Sequence, residues 1–220
     1  MGADGPASRA LVRLDAEVAV AVGDLDRIVL AFSGGLGSLL VAAVARKRCE
    51  VRCVVVGLRG ASDVEAARVA QKFLDYPIAV LQPSADGAWR MARAIRARHP
   101  NLPLSEVLAI VPMALVQKEH PRDPILTGFG LTARTPTLRS ALGSDTARCP
   151  GLRLRISRST RVPLLQMAEA AGLPESFVRA APRSPLEGSG IGPALRALAR
   201  SQKVSFARLF SLDVRPDDYH

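Results

Sequence analysis

The chain has 220 residues and a mass of 23.4 kDa, enough for one medium α/β domain or two very small ones; a globule of this size buries about 70% of the surface of its unfolded chain. Hydrophobic residues at 48% and charged residues at 23% exclude a disordered chain, while aromatics at 4% leave Ala, Val and Leu to fill the core. Thirty basic against 20 acidic side chains give a formal charge of +10, which favours phosphate-bearing or polyanionic partners without choosing among them.

After a polar start containing Gly and Pro, ALVRLDAEVAVAV (10–22) carries apolar residues on a helical repeat and predicts a first helix. RIVLAF (27–32) is a short continuous apolar run, the form of a strand buried on both faces of a parallel sheet, and it leads directly into SGGLGS. LLVAAVARKR (39–48) then reads as helix and VRCVVVG (51–57) as a second strand, completing a strand–helix–strand unit. SDVEAARVAQKFL (62–74) follows as a helix for which Ser62 is the N-cap candidate, with Glu65 three residues on. YPIAVL (76–81) gives a third strand, two helical stretches follow at 85–98 and 104–118, and DPILTG (123–128) gives a fourth strand ending in another glycine turn. The alternation predicts an α/β fold, a Rossmann-like three-layer α/β/α arrangement on a mainly parallel sheet.

From 129 to 160 the periodicity disappears, and six arginines stand against Asp145 alone. Helical patterns return at about 163–171, 174–180 and 191–200, broken by PRSPLEGSGIG (182–192). The expected organisation is therefore a single domain over 1–220: a core at 25–128, a basic connection at 129–160 and a helical C-terminal part at 161–220.

The arginines divide unevenly. Residues 1–120 carry 15 basic and 12 acidic side chains, a net of +3, and residues 121–220 carry 15 and 8, a net of +7. A composition of 26 Arg, 4 Lys and one Asn also follows from a GC-rich coding bias, and loss of Asn accompanies heat adaptation, so a thermophilic source fits. Cys49, Cys53 and Cys149 form no CxxC pair and have no neighbouring His, which argues against a zinc site or a disulfide framework. No apolar run approaches the roughly 18 residues that span a bilayer, and the N-terminus lacks a signal-peptide core, so a cytoplasmic protein that does not enter membranes is expected. His99 and His120 each precede a proline at the end of a helical stretch and read as boundary residues rather than catalytic bases.

The chemistry concentrates in the turn after the first strand. Ser33, Gly34, Gly35, Leu36, Gly37 and Ser38 close a strand and open a helix, so successive main-chain N–H groups and the helix N-terminus can face an oxyanion. No Gly-Lys-Ser/Thr follows, so it is not a Walker A loop, and the spacing does not match Gly-x-Gly-x-x-Gly. This SGGLGS resembles the Ser-Gly-Gly-x-Asp-Ser loop of the PP-loop ATP pyrophosphatases, members of the adenine nucleotide α-hydrolase-like superfamily. VGLRGASDVEAARVAQKFL (56–74), LTGFGLTA (126–133), RVPLL (161–165) and GLPESFVRAAPRSPLEGSGIG (172–192) occur in the order of segments in the synthetase domain of glutamine-dependent asparagine synthetases. The resemblance spans roughly residues 25–200.

It implies that Ser33, Gly34, Gly35 and Ser38 hold the ATP β- and γ-phosphates. Val56, Gly57 and Leu58 would meet adenine through backbone groups, Arg183 would stand near the family's phosphate-binding Lys, and Gly128 and Gly130 would line the substrate side. The departures are equally specific. The loop aspartate of the family is Gly37, its Ala-Asp-Glu is Leu131, Thr132 and Ala133, and a further acid position is Phe129. The oxygen ligands that Mg²⁺ needs are thus missing together, with Asp123, Asp145 and Glu187 nearest in sequence. With Gly2 at residue 2 in place of a nucleophilic Cys, a chain without the family's glutaminase domain, and so without a visible ammonia source, is expected. The expectation is a protein that binds ATP or AMP with weak or absent pyrophosphatase activity. Two alternatives stand beside it: an AMP-forming amide- or thiol-forming enzyme whose missing acids come from substrate, a homodimer or a partner subunit; and an RNA-binding or tRNA-modifying protein using the basic 134–161 region, against which stand the few aromatics for stacking.

Overall fold

The computed structural model describes residues 5–74, 76–128, 164–176 and 187–210. Elements follow in the order α1 (Pro6–Val22), β1 (Arg27–Ala31), α2 (Leu36–Ala45), β2 (Glu50–Val56), α3 (Ser62–Leu74), β3 (Ile78–Leu81), α4 (Ala85–Arg98), α5 (Leu104–Glu119), β4 (Ile125–Thr127), α6 (Leu164–Ala170), α7 (Ile191–Ser201) and α8 (Phe206–Leu209). The four strands form a wholly parallel sheet in the order β3-β2-β1-β4. The basic connection at 129–160, with Phe129, Gly130, Leu131, Thr132, Ala133 and Asp145, lies outside the described residues, as do Arg183 and most of the helix expected at 174–180.

The period of two along each strand distributes the core to both faces of the sheet. Ile28, Leu30, Cys53, Val55 and Leu126 point to one side, where α1, α2, α3 and α6 cover them. Val29, Val54, Val56 and Ile125 point to the other, against α4, α5 and α7. The result is the three-layer α/β/α arrangement. Register fixes it: Leu30 stands opposite Cys53 and Leu126, and Val29 opposite Ile125, so like faces align across three strands.

Two helix starts differ from the sequence reading. Helix α1 begins at Pro6 instead of residue 10, because proline at the first position has its φ already set for helix and needs no N–H there. At α3 the N–H groups of Val64 and Glu65 close onto the Ala61 carbonyl, so Ala61 occupies the capping position. Ser62 turns its hydroxyl to the Gly188 carbonyl instead, at 3.4 Å. His99 and His120 are the C-caps of α4 and α5.

Candidate functional site

Strands β1 and β4 are neighbours in space but lie at opposite ends of the chain order, so the direction of winding reverses between them. In open α/β sheets the crevice beyond the carboxyl ends of such strands is where ligands bind. The Ser33–Ser38 turn leaves β1 at that edge and becomes the first turn of α2, with Gly35 as N-cap. Gly128 leaves β4 at the same edge and lies directly on the turn: a Cβ there would stand 2.6 Å from the Gly37 carbonyl carbon and from the Ser38 nitrogen. Gly34 adopts φ +70°, a conformation that disfavours side chains, and its Cα abuts α3, where a Cβ would fall 2.7 Å from that of Ala66 and 2.9 Å from the Ala67 nitrogen. The glycines of this turn therefore answer packing on two sides at once.

Within the turn, hydroxyls satisfy the main chain. Ser38 donates its hydroxyl to the Gly35 carbonyl at 2.9 Å, and the Ser33 N–H donates to Ser38 Oγ at 3.3 Å. The Gly35 N–H donates to Ser33 Oγ at 3.3 Å, and the two serine oxygens are 3.3 Å apart. Three of these contacts are long. An anion offering charge-assisted bonds would compete well for the Ser33 and Gly35 N–H groups and the helix N-terminus behind them.

At the end of β2, Val56 is buried against α4 and α5, and Gly57 is buried with a Cβ position only 2.6 Å from Val64 Cγ2. The Gly57 N–H donates to the Leu81 carbonyl at 3.1 Å and the Leu58 N–H to the Ser189 carbonyl at 2.9 Å. Both donors of this corner are thus engaged within the protein.

Solved structures resemble this chain. They include an NH3-dependent NAD synthetase from Campylobacter jejuni in complex with a nitrate ion, at 15% identity over 94% of this chain and 88% of that one, TM-score 0.48. A predicted subunit of tRNA methyltransferase from Methanocaldococcus jannaschii matches at 11% identity over 84% and 91%, TM-score 0.46. The NMN synthetase of Francisella tularensis matches at 12% identity over 98% and 89%, TM-score 0.44. No protein-family model matches the chain, and no curated protein matches it.

Among the described residues no group of three His, Cys, Asp or Glu converges. Asp123 precedes β4, at the sheet edge opposite the glycine turn, and its carboxylate is 2.9 Å from His120 Nδ1. Glu187 pairs with Arg196 at 3.3 Å on the surface.

One acid of this region was not singled out by its residue type. Asp63 is 5% exposed, and burial pushes its carboxyl up to about 7. The signal was present in the spacing: Asp63, Ala67 and Ala70 share the buried stripe of α3 at i, i+4 and i+7. No helix among the described residues is long and apolar enough to cross a membrane.

Proposed function

We propose that the chain is an adenine-nucleotide-binding protein of the PP-loop kind, similar to the synthetase domain of asparagine synthetases, that holds ATP or AMP and cleaves ATP weakly or not at all. The observation that supports this reading is the seating of Gly128 on Gly37 and Ser38, which joins the two glycine turns at the reversal point of the sheet. Phosphates would lie over Ser33, Gly34, Gly35 and Ser38, displacing the long intraloop bonds, with Leu36 and Gly37 opening the helix behind them. Arg183 would add a planar cation to the phosphates, and Gly128 and Gly130 would face the remaining substrate space.

Adenine would lie along Val56, Gly57 and Leu58. With the Gly57 and Leu58 N–H groups engaged by Leu81 and Ser189, the corner in this conformation meets the base by shape and main-chain acceptors. Weak turnover follows from the acids. Cleavage between the α- and β-phosphates needs the developing charge neutralised, and Gly37 offers no oxygen for the metal that usually does so. Calorimetry with AMP and ATP at low salt, with Mg²⁺ and with EDTA, tests the reading. Binding that EDTA leaves unchanged, without pyrophosphate release, is the expected result; no heat and no thermal shift with either nucleotide would remove it.

A further inference from the structure

The start of α3 holds a buried acid that nucleotide binding does not use. Asp63 Oδ1 has no hydrogen-bond partner among the described residues. The Glu187–Ile191 turn closes over it, with the Asp63 N–H donating to the Gly188 carbonyl at 3.0 Å and the Leu58 N–H to the Ser189 carbonyl at 2.9 Å. Gly188 touches the carboxyl itself: a Cβ there would stand 1.9 Å from Oδ1 and 2.8 Å from Oδ2. At the end of the turn, Gly190 at φ +74° leads into α7, whose Ile191 N–H reaches Ser189 Oγ at 3.4 Å.

We propose that the Glu187–Ile191 turn is a latch on the Leu58–Asp63 corner, held shut over a neutral Asp63 and loosened when that carboxyl loses its proton. A neutral carboxyl tolerates one unpartnered oxygen under main chain far better than a carboxylate does. Among the described residues, the charges nearby do not relieve it. Arg59 is exposed on the preceding turn, Glu65 pairs with Arg68 at 3.0 Å on α3, and Glu187 pairs with Arg196 across the turn and α7. The Ser33–Ser38 turn, packed on Ala66 and Ala67, brings hydroxyls and no charge. Burial is what raises the Asp63 carboxyl above its ordinary range. Moving the turn off lets water reach the carboxylate and frees the Leu58 and Asp63 N–H groups. That the freed Leu58 donor then serves adenine rests on the nucleotide reading; the latch does not.

Amide hydrogen exchange of the whole chain, normalised to intrinsic rates, tests the latch. Protection of the Leu58 and Asp63 amides should fall together by about tenfold per pH unit between about pH 4 and about 7 and then level off, because opening releases a carboxyl with an ordinary affinity for protons. The Gly57 amide, bonded to Leu81, should not follow. In Asp63→Asn the protection should be flat. Flat protection in the wild type, or an equal fall in Asp63→Asn, would overturn the latch. Should Asp63→Asn not fold, the ¹³C shift of the wild-type Asp63 carboxyl is followed beside exchange: protection of Leu58 and Asp63 that stops falling where the carboxyl titrates supports the latch, and a carboxyl midpoint in the ordinary range, or protection that ignores it, refutes it. AMP titrated at about pH 6 and about pH 8 separates the two claims. An intact exchange profile with no AMP binding at either pH removes the nucleotide reading and leaves the latch standing.

Discussion

Replacing Gly128 by Ala adds a single methyl group where β4 meets the glycine turn. That methyl would lie 2.6 Å from the Gly37 carbonyl carbon, 2.6 Å from the Ser38 nitrogen and 2.8 Å from the Gly37 oxygen. All three are main-chain atoms, so no rotamer change relieves the overlap; β4 or the first turn of α2 must shift by most of an ångström. Gly37 and Ser38 are buried, and the residues that follow, Leu39 and Leu40, are fully packed, so α2 cannot move without disturbing the core. Overpacking of this kind costs about 1–3 kcal/mol. With a urea dependence of roughly 2 kcal/mol per molar, the unfolding midpoint should fall by about 0.5–1.5 M. Nucleotide affinity should fall further than stability, because the shift falls on the anion-facing turn; about tenfold or more is expected from the sensitivity of positioned groups to displacements near 1 Å. Gly5→Ala is a control for the added methyl, with open space around it and φ −67°; as the N-cap of α1 it should cost up to about 1 kcal/mol and leave nucleotide affinity unchanged. An unchanged midpoint and unchanged nucleotide affinity in Gly128→Ala would refute the idea that this contact sets the turn.

Other expectations follow from burial. The Asp63 carboxyl, titrating at about 7 instead of 3.8, is protonated in the folded chain while the unfolded chain ionises. Wild-type stability should therefore decline relative to Asp63→Asn from about pH 4 to about 7 and stay level above it, by up to roughly 4 kcal/mol, with opening of the Gly188 turn capping the loss. Urea titrations across pH measure this, and parallel curves for the two proteins would contradict it. Leu30→Ala, at a fully buried position in central strand β1, should cost about 2–5 kcal/mol by chemical denaturation. Cys53 is fully buried, and that burial pushes its thiol up to about 12. It should resist thiol reagents at mildly alkaline pH until the chain unfolds, and native-state labelling at Cys53 would show the packing to be wrong.

Much of this fold was legible because its strands are short apolar runs between punctuating glycines and prolines. RIVLAF and VRCVVVG can be buried on both faces only in a parallel sheet with helices on each side, and the structure places them side by side at its centre. Helix ends were less legible, as at Pro6, where a residue usually read as a breaker starts the helix. The candidate turn was visible in its glycines, but the reason for Gly128 and Gly188 was not: each meets main chain or a carboxyl far away in sequence. Asp123 was near the candidate site in sequence and is at the opposite sheet edge in space, since a strand separates it from Gly128. Asp63 ran the other way, an acid at a helix start that looks solvated until the Gly188 turn covers it.

The binding claim is tested most directly by following the main-chain amide resonances of Gly34, Gly35 and Gly37 while AMP and then ATP are added to the labelled chain. Saturable shifts at these three amides, unchanged by EDTA and weakened in Gly128→Ala, are predicted. Saturation of the chain with either nucleotide while these amides stay still, or no saturable change anywhere, would contradict the account.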